Sequence, residues 1–479
     1  MTKDALLQAL RGGEELSRRQ QFHLVALLSA PAMLAQLSSI VMQYIDAAMV
    51  AHLGADAMGA IGLVCSTLWL ATGLCGAAAT GFYVMASHKV GARNYDAARR
   101  IMYVSLPATF LWSGMLALIC WHISSRLPYW LGGEYAICAD ATAYFLIYVS
   151  FLPVWQFNAL ASGMLRSAGN VKAPSILNAV MCLLDVVFNY LFIFKMHQGV
   201  AGAAWGTASA EVVVMIGLLV CLFRQKEYRL PKPPSYPPKG GRFSMGLQSL
   251  LKHPPLGEVE GAIRIATPMA LERICLVGAQ IASTVIVAPL GTIAIAANAL
   301  GITIEALCYM PGFGIGDASS TLVGQSHGAG RRPLVYSFSR ITLWLGVGVM
   351  TLMGAIMFIG APALVGLMGP EADVGTLCVR VLRIEAFAEP MYGASIVGYC
   401  IFVALGDTLV PCLMNLATIW GIRITLAAIL APVMGLPGVW LAMAIELTVR
   451  GLIFLLRLHL KVKPLPAKVS FGTLPPLPE

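Results

Sequence analysis

Two aspartates, Asp46 and Asp185, stand within long apolar stretches of the chain, where a carboxylate is costly to bury. No lysine or arginine lies at a comparable depth in the first half of the sequence, so neither acid has an evident basic partner. Uptake of a proton or a cation would relieve the unpaired negative charge. The two residues are therefore candidates for a site that binds H⁺ or Na⁺.

The second half of the chain combines several acids with arginines in its apolar stretches. Glu385 and Glu389 are four residues apart and share a helix face, where mutual repulsion favours protonation of one of them. Arg423 could neutralise one member of this pair. A structural network of arginines and glutamates is one interpretation. The other is contact with a cationic substrate, which we expect from Glu272, Glu305, Glu385 and Glu389.

Three further acids lie in apolar stretches, and two of them have structural explanations. Asp317 lies near a helix end beside several glycines, which favours a structural role. Glu446 has Arg450 four residues later on the same helix face, which predicts an ion pair within one helix. Glu211 has no evident basic partner, and both a functional and a structural role stay open for it.

Methionines and aromatic residues along the apolar stretches are individually best explained by packing or lipid contact. Together they suit large organic cations, through adaptable packing and cation–π attraction. The residues of this kind that we expect at a substrate cavity are Met42, Tyr44 and Phe157. Because the sequence contains no nucleophile–base constellation, phosphate-binding loop or nucleotide motif, it predicts neither an enzyme nor an organic cofactor.

The elements that carry these residues are predicted from composition. The 479-residue chain is 58% hydrophobic and 11% charged, whereas a soluble globular protein is nearer half apolar and a quarter charged. Its apolar runs are about 20 residues or longer, enough to cross a bilayer as helices. They predict an all-α integral membrane protein of about twelve spans, centred on residues 24–51, 57–87, 98–123, 138–162, 173–195, 200–223, 262–288, 293–323, 336–360, 377–404, 409–432 and 437–458.

The net charge of +9 indicates topology rather than nucleic-acid binding. Lysines and arginines are concentrated on one side of a twelve-span chain, and the other side has little beyond Arg126 and Lys195. The positive-inside rule then places both termini in the cytoplasm, with membrane lipid as a partner. The eleven cysteines are scattered singly, without metal-ligand spacing.

The two halves of the chain repeat each other with a constant offset. Eight proline, glycine and asparagine residues meet the identical residue type 237 positions later, from Pro31 and Pro268 to Asn178 and Asn415. Because proline and glycine fix or free the backbone, this register indicates shared architecture. Six spans per copy predict two parallel six-helix bundles related by a pseudo-twofold axis along the membrane normal, a plan that secondary transporters use.

The repeat and the composition together divide the chain into five segments. The central segment is rich in proline and basic residues, so we expect an extended tether, with a membrane-surface strap as the alternative. The predicted segments are a cytoplasmic N-terminal segment at 1–23, a first lobe at 24–224, a cytoplasmic linker at 225–260, a second lobe at 261–460 and a cytoplasmic tail at 461–479.

Short motifs recur in the same order in both halves and indicate a family. Pro31 and Asp46 in the first span and Asp185 in the fifth complete the pattern, which covers Leu24 to Leu460. It resembles the multidrug and toxic compound extrusion (MATE) family, particularly its DinF-like branch. The recurring motifs are Val90-Gly91-Ala92, Leu165-Arg166-Ser167-Ala168-Gly169-Asn170, Leu322-Val323-Gly324-Gln325, Gly328-Ala329-Gly330 and Ala404-Leu405-Gly406-Asp407-Thr408.

The resemblance implies a MATE fold and an antiporter that exports organic cations or drugs in exchange for H⁺ or Na⁺. Asp46 and Asp185 match the family's acidic pair for the coupling ion, and Thr207 lies near a hydroxyl position of that site. Pro31 supplies a kink that would let the first span bend as Asp46 titrates.

One position departs from the family pattern. Members with a sodium site in the first lobe often carry an asparagine one turn before the second aspartate, and that position is Met181 here. Asn189 lies one turn after Asp185 on the same helix face and could substitute, and Asn178 is also near. The assignment of a sodium site to Asp46 and Asp185 is thereby weakened, and a proton site stays compatible with these residues.

Two other functions remain as alternatives. A lipid-linked saccharide flippase belongs to the same broad superfamily, although such proteins usually have a more cationic cavity and often extra spans. A membrane-embedded enzyme or receptor is the alternative from another class. For the preferred antiporter we expect small organic cations as partners, a monomer, and a place in the bacterial inner membrane.

Overall fold

The computed structural model describes residues 2–229 and 256–462, and these residues form helices without a strand. The predicted all-α fold is confirmed. The first lobe and the segment before it contain α1 (Lys3–Gly12), α2 (Arg18–Ala51), α3 (Ala55–Gly91), α4 (Tyr95–Ile123), α5 (Leu127–Trp130), α6 (Tyr135–Ser150), α7 (Leu152–Ser167), α8 (Lys172–Asn189) with a π-helical continuation (Tyr190–Lys195), and α9 (Gly199–Arg224).

The second lobe repeats this order of helices. Most of the predicted linker and tail, residues 230–255 and 463–479, lies outside the described residues. The second-lobe helices are α10 (Leu256–Val287) with a short 3₁₀ turn (Ala288–Leu290), α11 (Thr292–Gly328), α12 (Arg332–Leu367), α13 (Ala372–Glu385), α14 (Glu389–Ala404), α15 (Leu409–Thr418) with a π-helical continuation (Ile419–Ile424), α16 (Thr425–Met434) and α17 (Leu436–Lys461).

Twelve spans result if two bent helix pairs are each counted once. Ten helices or continuous helical runs of the described chain are long and apolar enough to cross a membrane unaided. The α6–α7 pair is bent by 45° and the α13–α14 pair by 59°, and each pair supplies one further span. The twelve-span prediction is thereby confirmed, with the fourth span of each lobe broken near its middle.

The 237-residue repeat corresponds to repeated backbone geometry. Three glycine pairs adopt positive φ at equivalent turns of the two lobes, a conformation that costs other residues free energy. The break between α6 and α7 at Phe151 likewise has its counterpart at Ala388, beside the α13–α14 break. The glycine pairs are Gly54 and Gly291 (φ 107° and 96°), Gly132 and Gly369 (79° and 61°), and Gly169 and Gly406 (84° and 81°).

The lobes meet along two symmetry-related helix pairs, with α2 packed on α11 and α3 packed on α10. Glycines permit this approach: a Cβ at Gly314 would meet the backbone of Met33, and one at Gly81 would meet the carbonyl of Ala262. We call the end of the bundle that carries α1, Gly91 and Gly328 the basal end, and the opposite end the distal end.

The lobes are closed against each other at the basal end. The His88 ring nitrogen Nε2 lies 2.7 Å from the Ala404 carbonyl oxygen of the other lobe, and the His88 and His327 rings are 4.9 Å apart. Arg166 of the first lobe forms an ion pair with Asp317 of the second. Asp317 therefore has a structural partner, and that partner belongs to the opposite lobe.

The close packing at Gly81 generates a test of the lobe interface. We expect Gly81→Ala to lower the stability of the protein by about 1–3 kcal/mol, because the added methyl group overlaps the backbone at Ala262. The measurement is the thermal unfolding midpoint in detergent. Gly76→Ala on the same helix is the control, because a Cβ there meets open space. Equal midpoints for both variants would contradict this interface.

Candidate functional site

A polar cluster in the first lobe joins α2 and α8. The Asn189 side-chain nitrogen Nδ2 donates to Asp46 Oδ1 at 3.0 Å and to Asp185 Oδ2 at 3.0 Å. Asp185 and Asn189 are almost completely buried, and Asp46 is partly exposed. The structure thus brings together three of the residues predicted for the coupling ion.

The third helix of this cluster is α9. Thr207 of α9 is close enough to interact with the Asp185 carboxylate, as predicted for a hydroxyl of the ion site. The preceding residue, Gly206, packs so closely that a Cβ there would overlap the Asn189 side chain and backbone. Gly206 therefore sets the position of Asn189, a role that the sequence analysis did not identify.

The cluster contains oxygen atoms without a donor. Asp185 Oδ1 and Asn189 Oδ1 are both buried and accept no hydrogen bond from the described residues. Buried polar atoms are rarely left in this state unless water, an ion or a proton completes them. The cluster therefore fits a cation or a proton, and oxygen atoms of carboxylate and amide groups are the ligands that hard cations prefer.

Asn178 lies apart from the carboxylates. Its Nδ2 donates to the Ala35 carbonyl oxygen and to Ser39 Oγ, both at 2.8 Å, and so ties α8 to α2. The equivalent Asn415 of the second lobe makes the same link, because its Nδ2 donates at 2.6 Å to Oε1 of Glu272, which replaces Ala35 in the repeat. Asn178 is a repeated structural bridge, and its place at the ion site stays a prediction.

Glu272 is satisfied by hydrogen bonds from two helices. Tyr399 donates its hydroxyl at 2.6 Å, in addition to the bond from Asn415. The side chain is buried between α10, α14 and α15. An acid whose two oxygens are each bonded in this way is well placed as a structural element, and a substrate would have to compete with Tyr399 and Asn415 for it.

Glu385 and Glu389 lie on either side of the break between α13 and α14. Both are completely buried, and all four carboxyl oxygens lack a hydrogen-bond partner in the part of the chain that the structure describes. The acidic cluster includes Glu305, whose charge acts on both. Three of the four acids expected at a substrate cavity therefore lie close together, and their contact with a substrate stays a prediction.

Arg423 forms its ion pair with Glu446, and its charge also acts on Glu385, one of the two acids that it was expected to neutralise. Its guanidinium lies 3.2 Å from Glu446, which also forms the predicted ion pair with Arg450 at 3.1 Å. The reason is geometric: the π-helical segment that carries Arg423 packs against α17, which carries both other residues. The guanidinium of Arg423 is thus in ion-pair distance of Glu446 while its charge also acts on Glu305 and Glu385.

The three predicted cavity residues Met42, Tyr44 and Phe157 have packing roles. The Tyr44 hydroxyl donates at 2.5 Å to the Thr303 carbonyl oxygen and joins α2 to α11 of the other lobe. Phe157 stacks on Phe110 at 6.1 Å between ring centroids, and Met42 packs against the first-lobe core. Tyr44 thus lies at the seam between the lobes, and contact of all three residues with a substrate stays a prediction.

Glu211 and Pro31 complete the predicted set. Asn158 Nδ2 donates to both the carboxylate and the backbone oxygen of Glu211, so this acid has a polar partner but no base in ion-pair distance among the described residues. Pro31 lies inside α2, which continues as one helix from Arg18 to Ala51. The predicted kink stays a prediction.

Comparisons with known proteins agree with this architecture. A family model described as MatE matches residues 31–191 and 268–429, two segments with the 237-residue offset of the repeat. The probable multidrug resistance protein NorM of Thermotoga maritima is 24% identical over 442 residues, 90% of each chain. The uncharacterized transporter YisQ of Bacillus subtilis is 22% identical, over 85% of this chain and 88% of YisQ.

Solved structures share the fold at low sequence identity. The bent form of the Vibrio cholerae MATE transporter VcmN superposes with a TM-score of 0.83 at 18% identity, over 93% of this chain and 98% of that one. A MOP superfamily transporter from Pyrococcus furiosus gives a TM-score of 0.84 at 17% identity, over 95% and 97%. The DinF-like branch stays a prediction.

The Glu446 ion cluster yields a test of its structural role. We expect Arg450→Met to destabilise the protein by about 3–5 kcal/mol, because it removes one of the two bases beside a completely buried carboxylate. The double variant Arg450→Met with Glu446→Met should recover most of this loss. The measurement is thermal unfolding in detergent. A double variant no more stable than the single one would contradict the assignment.

Proposed function

Because the chain belongs to the MatE family of membrane transporters, we propose that it is an antiporter that exports organic cations or other amphipathic compounds in exchange for a coupling ion. Members of this family are transporters rather than enzymes, in agreement with the sequence prediction. The observation that carries the proposal is the buried cluster of Asp46, Asp185 and Asn189, with two oxygens that accept no hydrogen bond.

H⁺ is the coupling ion that the cluster supports better. The amide nitrogen of Asn189, and not its oxygen, faces both carboxylates, so the position between them holds a donor where Na⁺ would need oxygen ligands. A proton can be taken up by either carboxylate without displacement of the amide. Na⁺ binding would require the Asn189 amide to rotate so that its oxygen faces the carboxylates. Na⁺ is the alternative coupling ion, and a transport measurement distinguishes it from H⁺.

The basal end is the cytoplasmic end in this proposal. Its loops carry most of the charged residues on which the positive-inside rule depends, among them Lys89, Arg93, Lys172 and Arg332. The bacterial NorM relatives support the inner membrane as the location. The closed seam at His88 and Ala404 then corresponds to a state shut toward the cytoplasm, one of the two states that alternating access requires.

A cationic substrate is favoured over the anionic substrate of a lipid-linked saccharide flippase. Arg423 and Arg450 are both engaged by Glu446, whereas Glu385 and Glu389 have no base in ion-pair distance among the described residues. The carboxyl groups without a partner in this region are therefore those of Glu385 and Glu389. An organic cation would find acidic partners here, whereas a lipid diphosphate would meet two arginines already engaged by Glu446.

The coupling site generates a transport prediction. We expect Asp46→Asn and Asp185→Asn each to reduce gradient-driven ethidium transport in proteoliposomes by at least about tenfold, because an amide cannot exchange a proton or neutralise Na⁺. The control is Asp140→Asn, an exposed aspartate of the same lobe. Each protein is driven by a pH gradient and, separately, by a sodium gradient.

The outcomes of this experiment are distinct. Transport driven by the pH gradient alone supports H⁺ coupling. Transport that requires the sodium gradient would identify Na⁺ as the coupling ion instead. Wild-type coupled transport in both aspartate variants would overturn the assigned site. Failure of the unmodified protein to move ethidium under either gradient, while remaining folded, would contradict export of this cationic substrate.

The acidic cluster of the second lobe generates a separate prediction about substrate binding. We expect Glu389→Gln to raise the KM for ethidium by roughly tenfold, because it removes one charge contact with the substrate. A contact worth about 1.4 kcal/mol changes a binding constant tenfold. Asp373→Asn, at an exposed first-turn position of α13, serves as the control. An unchanged KM in Glu389→Gln would assign this acid to structure.

A further inference from the structure

The N-terminal helix α1 lies across the seam between the lobes at the basal end. Leu6, Leu7 and Leu10 on one face of α1 are 0–3% exposed. They belong to one apolar cluster that also contains Val171 of the first lobe and Phe338 of the second. α1 is therefore packed against both lobes, although the polar N-terminal sequence predicted only a cytoplasmic segment.

Arg11, in the last turn of α1, connects the lobes through its guanidinium group. Nε donates to Oε1 of Gln325 in the second lobe at 3.0 Å. Nη2 donates to the Ala168 carbonyl oxygen of the first lobe at 2.8 Å, and Nη1 lies 2.7 Å from Glu227, which follows α9. The planar fork of arginine suits this simultaneous contact with three acceptors.

Backbone oxygens of α1 receive further contacts from both lobes. Arg331 of the second lobe donates to the carbonyl oxygens of Ala9 at 3.3 Å and Leu10 at 3.2 Å, where a cation also complements the helix dipole. On the first-lobe side, Lys3 donates to the Gly169 carbonyl oxygen at 3.0 Å. The two sides of α1 are thus held by different lobes.

Gln325 links this helix to the seam itself. Its Nε2 donates to the Ser167 carbonyl oxygen of the first lobe at 2.8 Å, while its Oε1 accepts the bond from Arg11. Gln325 is completely buried, so both bonds are made away from water. Separation of the lobes at this end would leave the Gln325 amide unpaired or newly hydrated.

We propose that α1 is a latch that stabilises the state closed at the basal end and that must release the second lobe before this end opens. The inference builds on the alternating-access part of the proposed function. Because α1 is joined to α2 by residues 13–17, it stays with the first lobe during a rocking motion. The contacts that break are then those to Gln325 and Arg331.

The thermodynamic consequence follows from the location of these contacts. An interaction made in only one of two states shifts the equilibrium toward that state by its full free energy. The contacts of α1 with the second lobe exist only while the basal end is closed. Removal of the latch therefore increases the population open at this end, and it substitutes no residue of the cluster near Asp46.

The experiment measures the separation of the lobes at the basal end. Residues 172 and 409 are exposed, begin equivalent helices and differ by the repeat offset of 237. Spin labels attached there through unnatural amino acids leave the native cysteines in place, and pulsed electron resonance gives the distance distribution. We expect Arg11→Ala and Arg331→Gln each to raise the ratio of open to closed molecules roughly tenfold.

Matched variants make the result decisive. Arg11→Lys keeps the charge but not the fork, so it should give an intermediate ratio. Arg19→Ala removes an exposed arginine at the start of α2 and should leave the distances unchanged. If Arg11→Ala and Arg331→Gln give the distances of Arg19→Ala, the latch is refuted. Should Arg11→Ala fail to fold, Arg331→Gln decides, because it removes only contacts of the second lobe.

The latch and the proposed transport activity are tested separately. The distances are recorded without substrate or gradient, so they do not depend on the identity of the exported compound. If the distances shift as expected but the protein transports no ethidium, the latch is supported and the proposed function is refuted. If the protein transports ethidium but the distances do not shift, the proposed function is supported and the latch is refuted.

Discussion

The cost of an uncompensated charge in an apolar environment governs the arrangement of this protein. For some acids arginines offset that cost, as Arg166 of another helix does for Asp317. Glu446 likewise pairs with Arg423 of another segment and with Arg450 of its own helix. Other acids lack such compensation, because oxygens of Asp185, Glu385 and Glu389 have no hydrogen-bond partner among the described residues. The acids with ion-pair partners and the acids for which we propose a function are thereby distinguished by their surroundings, since the two groups are alike in residue type.

The repeat supplies a scaffold on which this separation is built. Asn178 and Asn415 tie equivalent helices together in both lobes, but the acceptor is a backbone carbonyl in the first lobe and the side chain of Glu272 in the second. Glu272 thus places an acidic group at a position where the first lobe has Ala35. The same backbone frame carries an acid pair at Asp46 and Asp185 in one lobe and a larger acidic cluster in the other.

The sequence was sufficient for features that depend on local patterns. Apolar runs and the register of proline and glycine predicted twelve spans in two lobes, and isolated aspartates predicted the Asp46–Asp185 pair. Features that depend on how helices are rotated against each other were not predictable. The partner of Arg423 is one example, because the π-helical segment turns it toward Glu446. The docking of α1 is another, since its few leucines are buried only where both lobes meet.

Helix α2 links the ion cluster to the interface between the lobes. It carries Asp46, which bonds to Asn189, and two residues earlier Tyr44, whose hydroxyl bonds to the Thr303 carbonyl oxygen of the second lobe. Its basal half, including Leu24 and Leu28, belongs to the apolar cluster that α1 and the second lobe share. Under the proposed function, a change of charge at Asp46 would act on the same helix that packs at the seam. Helix α2 is then the element that would couple ion binding to basal closure.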